Sequence, residues 1–314
     1  MCGIVGYVGT NQACGILVDG LKKLEYRGYD SAGIAVLHNG HAEVRKILGR
    51  VGSLEALLSS AAVPFGNIGI GHTRWATHGK PSTENAHPHK AGRAIVVHNG
   101  IIENYSAIKA RLISLGSTFI SETDTEVIAQ LINYHIQRGE SSLSAIQRAG
   151  TELSGSFAAG ILIEGDSETL YAIRKESPLI VGVGDNQAFI ASDMPAILPY
   201  TSQMIFMDDG DIAVLRRDKI DFFDFGGQAV KRVTRLVALD PVTAAKGGYK
   251  HFMLKEIFEQ PQAVTNTVRG KVTQQNAEIS LEGITLSERE IRSLEKIIIL
   301  ACGTSFSRCP RSGI

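Results

Sequence analysis

Met1-Cys2-Gly3-Ile4-Val5-Gly6-Tyr7-Val8 opens the chain, and the fold is read outward from it. Ile4–Val8 is a short apolar run rich in β-branched residues and reads as a strand. Cys2 stands just before it. An initiator Met is expected to be removed when the second residue is small, which would leave Cys2 with a free α-amine. Such an amine titrates near ~7.7–8.0, so much of it can act as a base at neutral pH, directly beside the thiol. Nucleophile and base in one residue is one way of activating a thiol. Cys2 also reads as a buried cysteine in a first strand, since cysteine is among the most buried residue types.

Beyond this stretch, short β-branched runs alternate with helical patterns to about residue 240. Strands are expected at Ile4–Val8, Ala32–Leu37, Ile68–Thr73, Ala94–His98, Ser156–Ile163, Thr169–Arg174, Ala188–Ala191 and Ile212–Leu215. A helix runs roughly Ala13–Leu24, before an Arg27-Gly28 turn. In a second, Ile101, Tyr105, Ile108, Leu112 and Leu115 recur at helical spacing. A third opens on Thr123-Asp124-Thr125-Glu126, a capping-box pattern, with Ile128, Leu131, Ile132 and His135 on one face. Many strands with few helices favour sheets packed together and covered by helices.

Two further features carry chemistry. The Ala94–His98 strand is expected to break at Asn99-Gly100 before a helix. Asn-Gly at a strand end is commonly a turn; a carboxamide beside a glycine N–H is also what an oxyanion hole needs. The run Gly71-His72-Thr73-Arg74-Trp75-Ala76-Thr77-His78-Gly79-Lys80-Pro81 sets the single Trp of the chain beside an arginine on a loop leaving a strand. An arginine fork suits a carboxylate and Asp124 suits an ammonium group, so together they could grip an amino acid zwitterion. Asp124 also sits in a first helical turn, where the dipole favours a carboxylate without any ligand.

Composition narrows the field. The 314 residues carry 32 Lys plus Arg against 32 Asp plus Glu, so no basic excess invites nucleic acid or an anionic membrane surface. A small-molecule partner is expected. No apolar run nears the ~18 residues of a membrane span. The four cysteines Cys2, Cys14, Cys302 and Cys309 are scattered without a C-x-x-C, so neither a disulfide framework nor a zinc site is expected, and a reducing cytoplasm fits. His87-x-His89 lacks a carboxylate or thiol at ligand spacing, and no metal is expected there. Gly182-Val183-Gly184 lacks the third glycine of a dinucleotide loop and reads as a turn between strands. Arg216-Arg217-Asp218-Lys219 reads as a solvated hairpin tip.

MCGIVGYVG at the terminus, LEYRGYDSAGIA at 24–35, GHTRWATHGKP at 71–81, HNGIIENY at 98–105 and SETDTEVIAQLI at 121–132 together resemble the class II glutamine amidotransferases. More narrowly they resemble the isomerizing glutamine–fructose-6-phosphate transaminases, over essentially all of residues 2–305. The resemblance implies an α+β fold, a four-layer αββα sandwich of the N-terminal nucleophile hydrolase type, over residues 2–240. It also implies that Cys2 attacks the side-chain amide of L-glutamine, that Asn99 and Gly100 form the oxyanion hole, and that Arg27 lies near the nucleophile. Arg74, Thr77, His78 and Asp124 would hold glutamine, with Trp75 on a lid; no cofactor is implied. The same domain heads enzymes of purine and asparagine synthesis, and a non-catalytic copy is the remaining alternative.

After Asp240-Pro241 the strand signals fade. Residues 241–290 read as a linker with one helix, Met253–Thr267, kinked or begun at Pro261. Lys296–Ala301 is a fresh apolar strand leading into Cys302-Gly303-Thr304-Ser305, which resembles the first sugar-phosphate loop of a sugar isomerase domain. Residues 291–314 are expected to begin that domain without completing it. Fructose 6-phosphate would then be a substrate, and a homodimer an assembly, of a full-length form only.

Overall fold

The computed structural model describes residues 2–60, 63–75, 79–237, 249–268, 272–273, 278–279 and 287–294. The chain divides into two compact units, Met1–Gly270 and Lys271–Ile314.

The first unit is a mixed α/β structure. It begins β1 (Gly3–Val8), α1 (Ala13–Leu24), a 3-10 turn (Glu25–Arg27), β2 (Ser31–His38), β3 (His41–Leu48), α2 (Val51–Ser60) and β4 (Ile68–Arg74). It continues β5 (His89–Ala91), β6 (Ala94–Ile102), α3 (Tyr105–Ser114), α4 (Thr125–Gln137), α5 (Ser142–Glu152), β7 (Gly155–Ile163) and β8 (Leu170–Lys175). Then follow β9 (Ile180–Gly184), β10 (Gln187–Ala191), β11 (Gln203–Phe206), β12 (Asp211–Leu215), β13 (Ile220–Asp224), β14 (Ala229–Val230), β15 (Arg235–Leu236) and α6 (Phe252–Val268). One sheet has eight strands in the order β15-β11-β9-β10-β1-β4-β2-β3, and the other has seven, β14-β13-β12-β8-β7-β6-β5. Every pairing in both is antiparallel.

Strand alternation sorts the core. Successive side chains point to opposite faces, and the buried residues fall into three clusters accordingly. Val5 and Tyr7 of β1 pack with Leu17, Leu21 and Leu24 of α1 and Leu54 of α2. Val96 of β6 and Phe157 of β7 pack with Ile128, Leu131 and Ile132 of α4 and Ile146 of α5. The third cluster draws on both sheets and on no helix: Ile4 and Val8, Ile68 and Ile70, Ile95 and Val97, Leu162, Ala172 and Ile190. Helix α1 comes close because Gly20 faces β1; a Cβ there would meet Val5 Cγ1 at 2.9 Å.

Several sequence expectations are corrected here. β6 does not break at Asn99-Gly100: its ladder with β7 continues through Asn99↔Ala158 and Gly100↔Phe157 to Ile102↔Gly155. Gly100 makes this feasible, since its φ is +122° and a Cβ would stand 2.0 Å from Ser156 O. Ile101 is therefore a strand residue, and α3 starts at Tyr105. The capping box expected at α4 does not form. Asp124 occupies the N-cap, but its carboxylate accepts from Ile102 N–H at 2.8 Å, and Glu126 accepts from the Ile120 and Ser121 N–H groups. Gly182–Gly184 belongs to β9 rather than to a turn. Residues Arg216–Lys219 do close the β12–β13 hairpin, with Arg216 N–H donating to Lys219 O at 2.8 Å.

In the second unit, β16 (Val272–Thr273) and β17 (Glu278–Ile279) form a two-residue ladder inside the stretch read as free of strands. A short helix, α7 (Glu288–Arg292), is capped by Ser287, whose side chain and the Glu290 carboxylate satisfy each other's N–H groups. Lys296–Ala301 and Cys302–Ser305 lie outside the described residues.

Candidate active site

The inter-sheet cluster turns polar at one end, and the strand register says which residues meet there. On β1 the even positions, Ile4 and Val8, face between the sheets, so Cys2 continues that row. On β4 the row is Ile68, Ile70, His72, Arg74, and on β6 it is Ile95, Val97, Asn99. β1 and β4 run antiparallel with Gly3 opposite Thr73, which brings Cys2 alongside Arg74 and Trp75. Two strands of one sheet and one of the other therefore deliver a thiol, an imidazole, a guanidinium and a carboxamide to the same end of the same layer.

Cys2 Sγ accepts a hydrogen bond from Trp75 N–H at 3.1 Å and lies 3.4 Å from Trp75 O. Burial pushes the thiol above its ordinary pKa, against the opposing pull of the Trp75 N–H and the nearby amino terminus. The resting sulfur is thus a thiol at neutral pH, and it needs a base to become a nucleophile. Asn99 is buried, donates through Nδ2 to Cys2 O at 3.2 Å, and meets His72 Nε2 through Oδ1 at 3.0 Å. The structure thus places Cys2, Trp75 and Asn99 in one hydrogen-bonded group.

Arg74 is almost fully buried. One of its nitrogens donates to Gly79 O at 2.9 Å, and another lies 3.7 Å from Asp30 Oδ1. Asp30 N–H donates back to Arg74 O at 2.6 Å, tying the end of β4 to the turn after α1. Trp75 is 53% exposed, and its ring lies over Gly28, where a Cβ would come within 2.0 Å of Cε3. Only glycine gives the ring that seat. Asp124, the second half of the expected zwitterion grip, is buried at the start of α4 and holds Ile102 N–H, two residues beyond Gly100. Arg27 closes the 3-10 turn before Gly28. Thr77 and His78 lie outside the described residues.

Beneath these groups lie four buried histidines. His72 packs against His87 with ring centroids 4.1 Å apart and planes tilted by 33°, and His87 meets His89 edge-on at 4.8 Å. His89 Nε2 pairs with Thr123 Oγ1 at 3.1 Å, and His98 Nδ1 with Thr125 Oγ1 at 2.9 Å. Burial lowers the pKa of His72 to about 3 and holds His87 and His89 well below their ordinary range, so these imidazoles are neutral. Among the described residues, no group of three or more His, Cys, Asp or Glu is arranged to hold a metal ion, and no helix is long and apolar enough to cross a membrane.

Sequence reading passed over His72, Asp30 and Gly28 as individual groups. For His72 a signal was present: His72, Thr73 and Arg74 are three consecutive polar residues in a strand that is otherwise apolar and central to its sheet. Buried polar side chains there need partners or a task.

Comparison with known proteins agrees with this geometry. Residues 72–199 match the glutamine amidotransferase domain, and the chain therefore carries a domain of that class. Over 98% of its length the chain is 48% identical to the isomerizing glutamine–fructose-6-phosphate aminotransferase of Caldanaerobacter subterraneus subsp. tengcongensis, covering 50% of that protein. With the enzyme of the same name from Methanosarcina mazei it shares 46% identity over 98% of its length, covering 51% of the relative. The chain is thus a homologue of the glutamine–fructose-6-phosphate aminotransferases, and it spans about half the length of the curated relatives it matches. Among solved structures, the glutamine phosphoribosylpyrophosphate amidotransferase of B. subtilis superposes with a TM-score of 0.62 at 26% identity, covering 71% of this chain and 49% of that one.

Proposed function

We propose that the first unit hydrolyses the side-chain amide of L-glutamine at Cys2, giving glutamate and ammonia. The observation that carries this reading is the convergence of a thiol, a backbone N–H and an oriented carboxamide at one end of the inter-sheet layer. With Met1 removed, the α-amine of Cys2 takes the thiol proton while Sγ bonds to the amide carbon. The carbonyl oxygen gains negative charge, which the Asn99 Nδ2–H and Gly100 N–H stabilise. The tetrahedral carbon then expels ammonia as the amine returns the proton, leaving a thioester. Water adds to that thioester, again through an oxyanion, and the C–S bond breaks to restore the thiol.

In the same proposal Arg74 and Asp124 read the two charges of the amino acid, Thr77 and His78 complete the pocket, Arg27 lies near the nucleophile, and Trp75 covers it. The finer architecture is part of the reading: a four-layer αββα sandwich over residues 2–240, a linker over 241–290, and the start of a sugar isomerase domain from 291. Transfer of the ammonia to fructose 6-phosphate, the activity in the relatives' name, belongs to the proposal for the whole protein. So do a homodimer and a cytoplasmic setting.

Asn99→Ala tests the oxyanion role. A loss of ~10²–10³ in kcat, about 2.7–4 kcal/mol of barrier, is expected with little change in KM for glutamine. A raised KM with turnover intact would move Asn99 to substrate positioning. Asp124 requires two variants because it also serves the fold. Asp124→Ala leaves the buried Ile102 N–H without an acceptor and should cost about 1–3 kcal/mol of stability. Asp124→Asn keeps an acceptor oxygen and removes only the charge, so it should melt near the parent yet bind glutamine more weakly. If Asp124→Asn binds glutamine as the parent does, Asp124 is a helix-start residue and nothing more.

A further inference from the structure

Asn99 presents two different faces, and its chemistry depends on which one points at Cys2. With Nδ2 toward Cys2 the side chain offers donors to an oxyanion; rotated by half a turn it would offer Oδ1, a lone pair that repels one. The observed orientation has Nδ2 donating to Cys2 O at 3.2 Å and Oδ1 against His72 Nε2 at 3.0 Å. We propose that His72 is a positioning residue for the hydrolysis: its Nε2–H donates to Asn99 Oδ1 and thereby locks the carboxamide with its donors toward Cys2. The proposal rests on the oxyanion reading of Asn99 given above.

The surroundings of the imidazole support this tautomer. His72 is buried in the central strand β4, and its Nε2 meets Oδ1 of an Asn99 whose Nδ2 is already committed to Cys2 O. A bare Nε2 would set two lone pairs, Nε2 and Oδ1, against each other. A proton on Nε2 satisfies both atoms of the contact and leaves only a bare Nδ1. The His87 ring packs against it at 4.1 Å between centroids, tilted by 33°, so packing also restrains the donor direction. Burial also removes His72 from any acid or base role, since its pKa falls to about 3. What remains is orientation.

The test is a cycle of four variants of the full chain, assayed for glutamate release. His72→Phe keeps a ring packed against His87 and removes the donor; it should lower kcat at least ~10-fold with KM changed less than about two-fold. His72→Gln can return an amide N–H near the Nε2 position and should recover most of that loss. Because His72 acts through Asn99, His72→Phe combined with Asn99→Ala should be no slower than Asn99→Ala alone. Losses that multiply in the double variant, or a His72→Gln no better than His72→Phe while both melt like the parent, would overturn the role of His72 and leave that of Asn99 intact. Full turnover in Asn99→Ala would remove the oxyanion role itself, and this role of His72 with it. Nitrogen-15 spectra of the unmodified protein give a readout independent of activity and of variant folding. His72 should show a protonated Nε2 and a bare Nδ1; a bare Nε2 would overturn the proposal.

Discussion

A chain that keeps Met1 should release no ammonia from glutamine, although its fold and its thiol are intact. Burial raises the Cys2 thiol above its ordinary pKa, so thiolate is scarce at neutral pH and a neighbouring base must take the proton. Among the groups on Sγ, the Trp75 N–H is a donor and the Trp75 carbonyl is not a base. The α-amine released by cleavage after Met1 is the group with a suitable pKa, near ~7.7–8.0. Blocking removal, by placing a bulky residue between Met1 and Cys2, should therefore be as damaging as Cys2→Ala. In the processed protein kcat/KM should rise with pH through the amine's range and level off, because the neutral amine is the active form. A rise that begins only above pH ~9 would instead report the thiol's own ionisation. Full activity with Met1 retained would remove the amine from the mechanism.

The second large effect is on stability, and it comes from the histidines. His72, His87 and His89 are buried as neutral rings with depressed pKa values, His72 from 6.5 to about 3. In the unfolded chain they titrate normally, so below pH ~6.5 the unfolded state binds more protons than the folded one. Stability is then present in full above that pH and is lost as pH falls toward the folded-state values. Each such group contributes about 1.4 kcal/mol per pH unit in that window, and three of them roughly 4. Set against the ~5–15 kcal/mol of a typical domain, the first unit should unfold cooperatively at roughly pH 4–5. Circular dichroism across a pH series with fixed urea would show it. A denaturation midpoint that stays flat from pH 7 to pH 4.5 would contradict the neutral-cluster account.

The sequence exposed the candidate functional residue types more readily than the arrangement that joins them. Cys2 and Asn99 are recognisable because a second-position cysteine and a strand-borne Asn-Gly are chemically unusual, and both reach the same site. Eight strands were legible from β-branched runs, and α1 was legible end to end from its buried stripe. β3, β9, β11 and β13 were not, nor were α2 and α5. β3 carries His41, Glu43, Arg45 and Lys46 and is half-exposed, so pairing rather than composition makes it a strand. The misplaced break at Asn99-Gly100 has a similar cause. Local turn propensity favours a bend, but nine consecutive pairs with β7 carry the strand through it. The capping box failed because tertiary partners outbid the local ones: Ile102 N–H claims Asp124, and Ile120 and Ser121 claim Glu126. His72 escaped notice because its importance lies in a contact between sheets, which no period along one strand reveals.

β1 sits in the middle of the eight-stranded sheet, with β4 on one side and β10 on the other. During synthesis its first neighbour, β4, is available after Arg74, but Val5 must wait for Ala191 to emerge before its other edge is closed. For well over a hundred residues of translation the segment behind Cys2 therefore lacks one of its two sheet neighbours, which leaves the terminus accessible for the proposed removal of Met1. On the proposed mechanism, trimming is expected to come before the sheet is sealed. If the proposed role of the α-amine holds, a cell that delays Met1 removal until folding is finished should accumulate well-folded, inert protein.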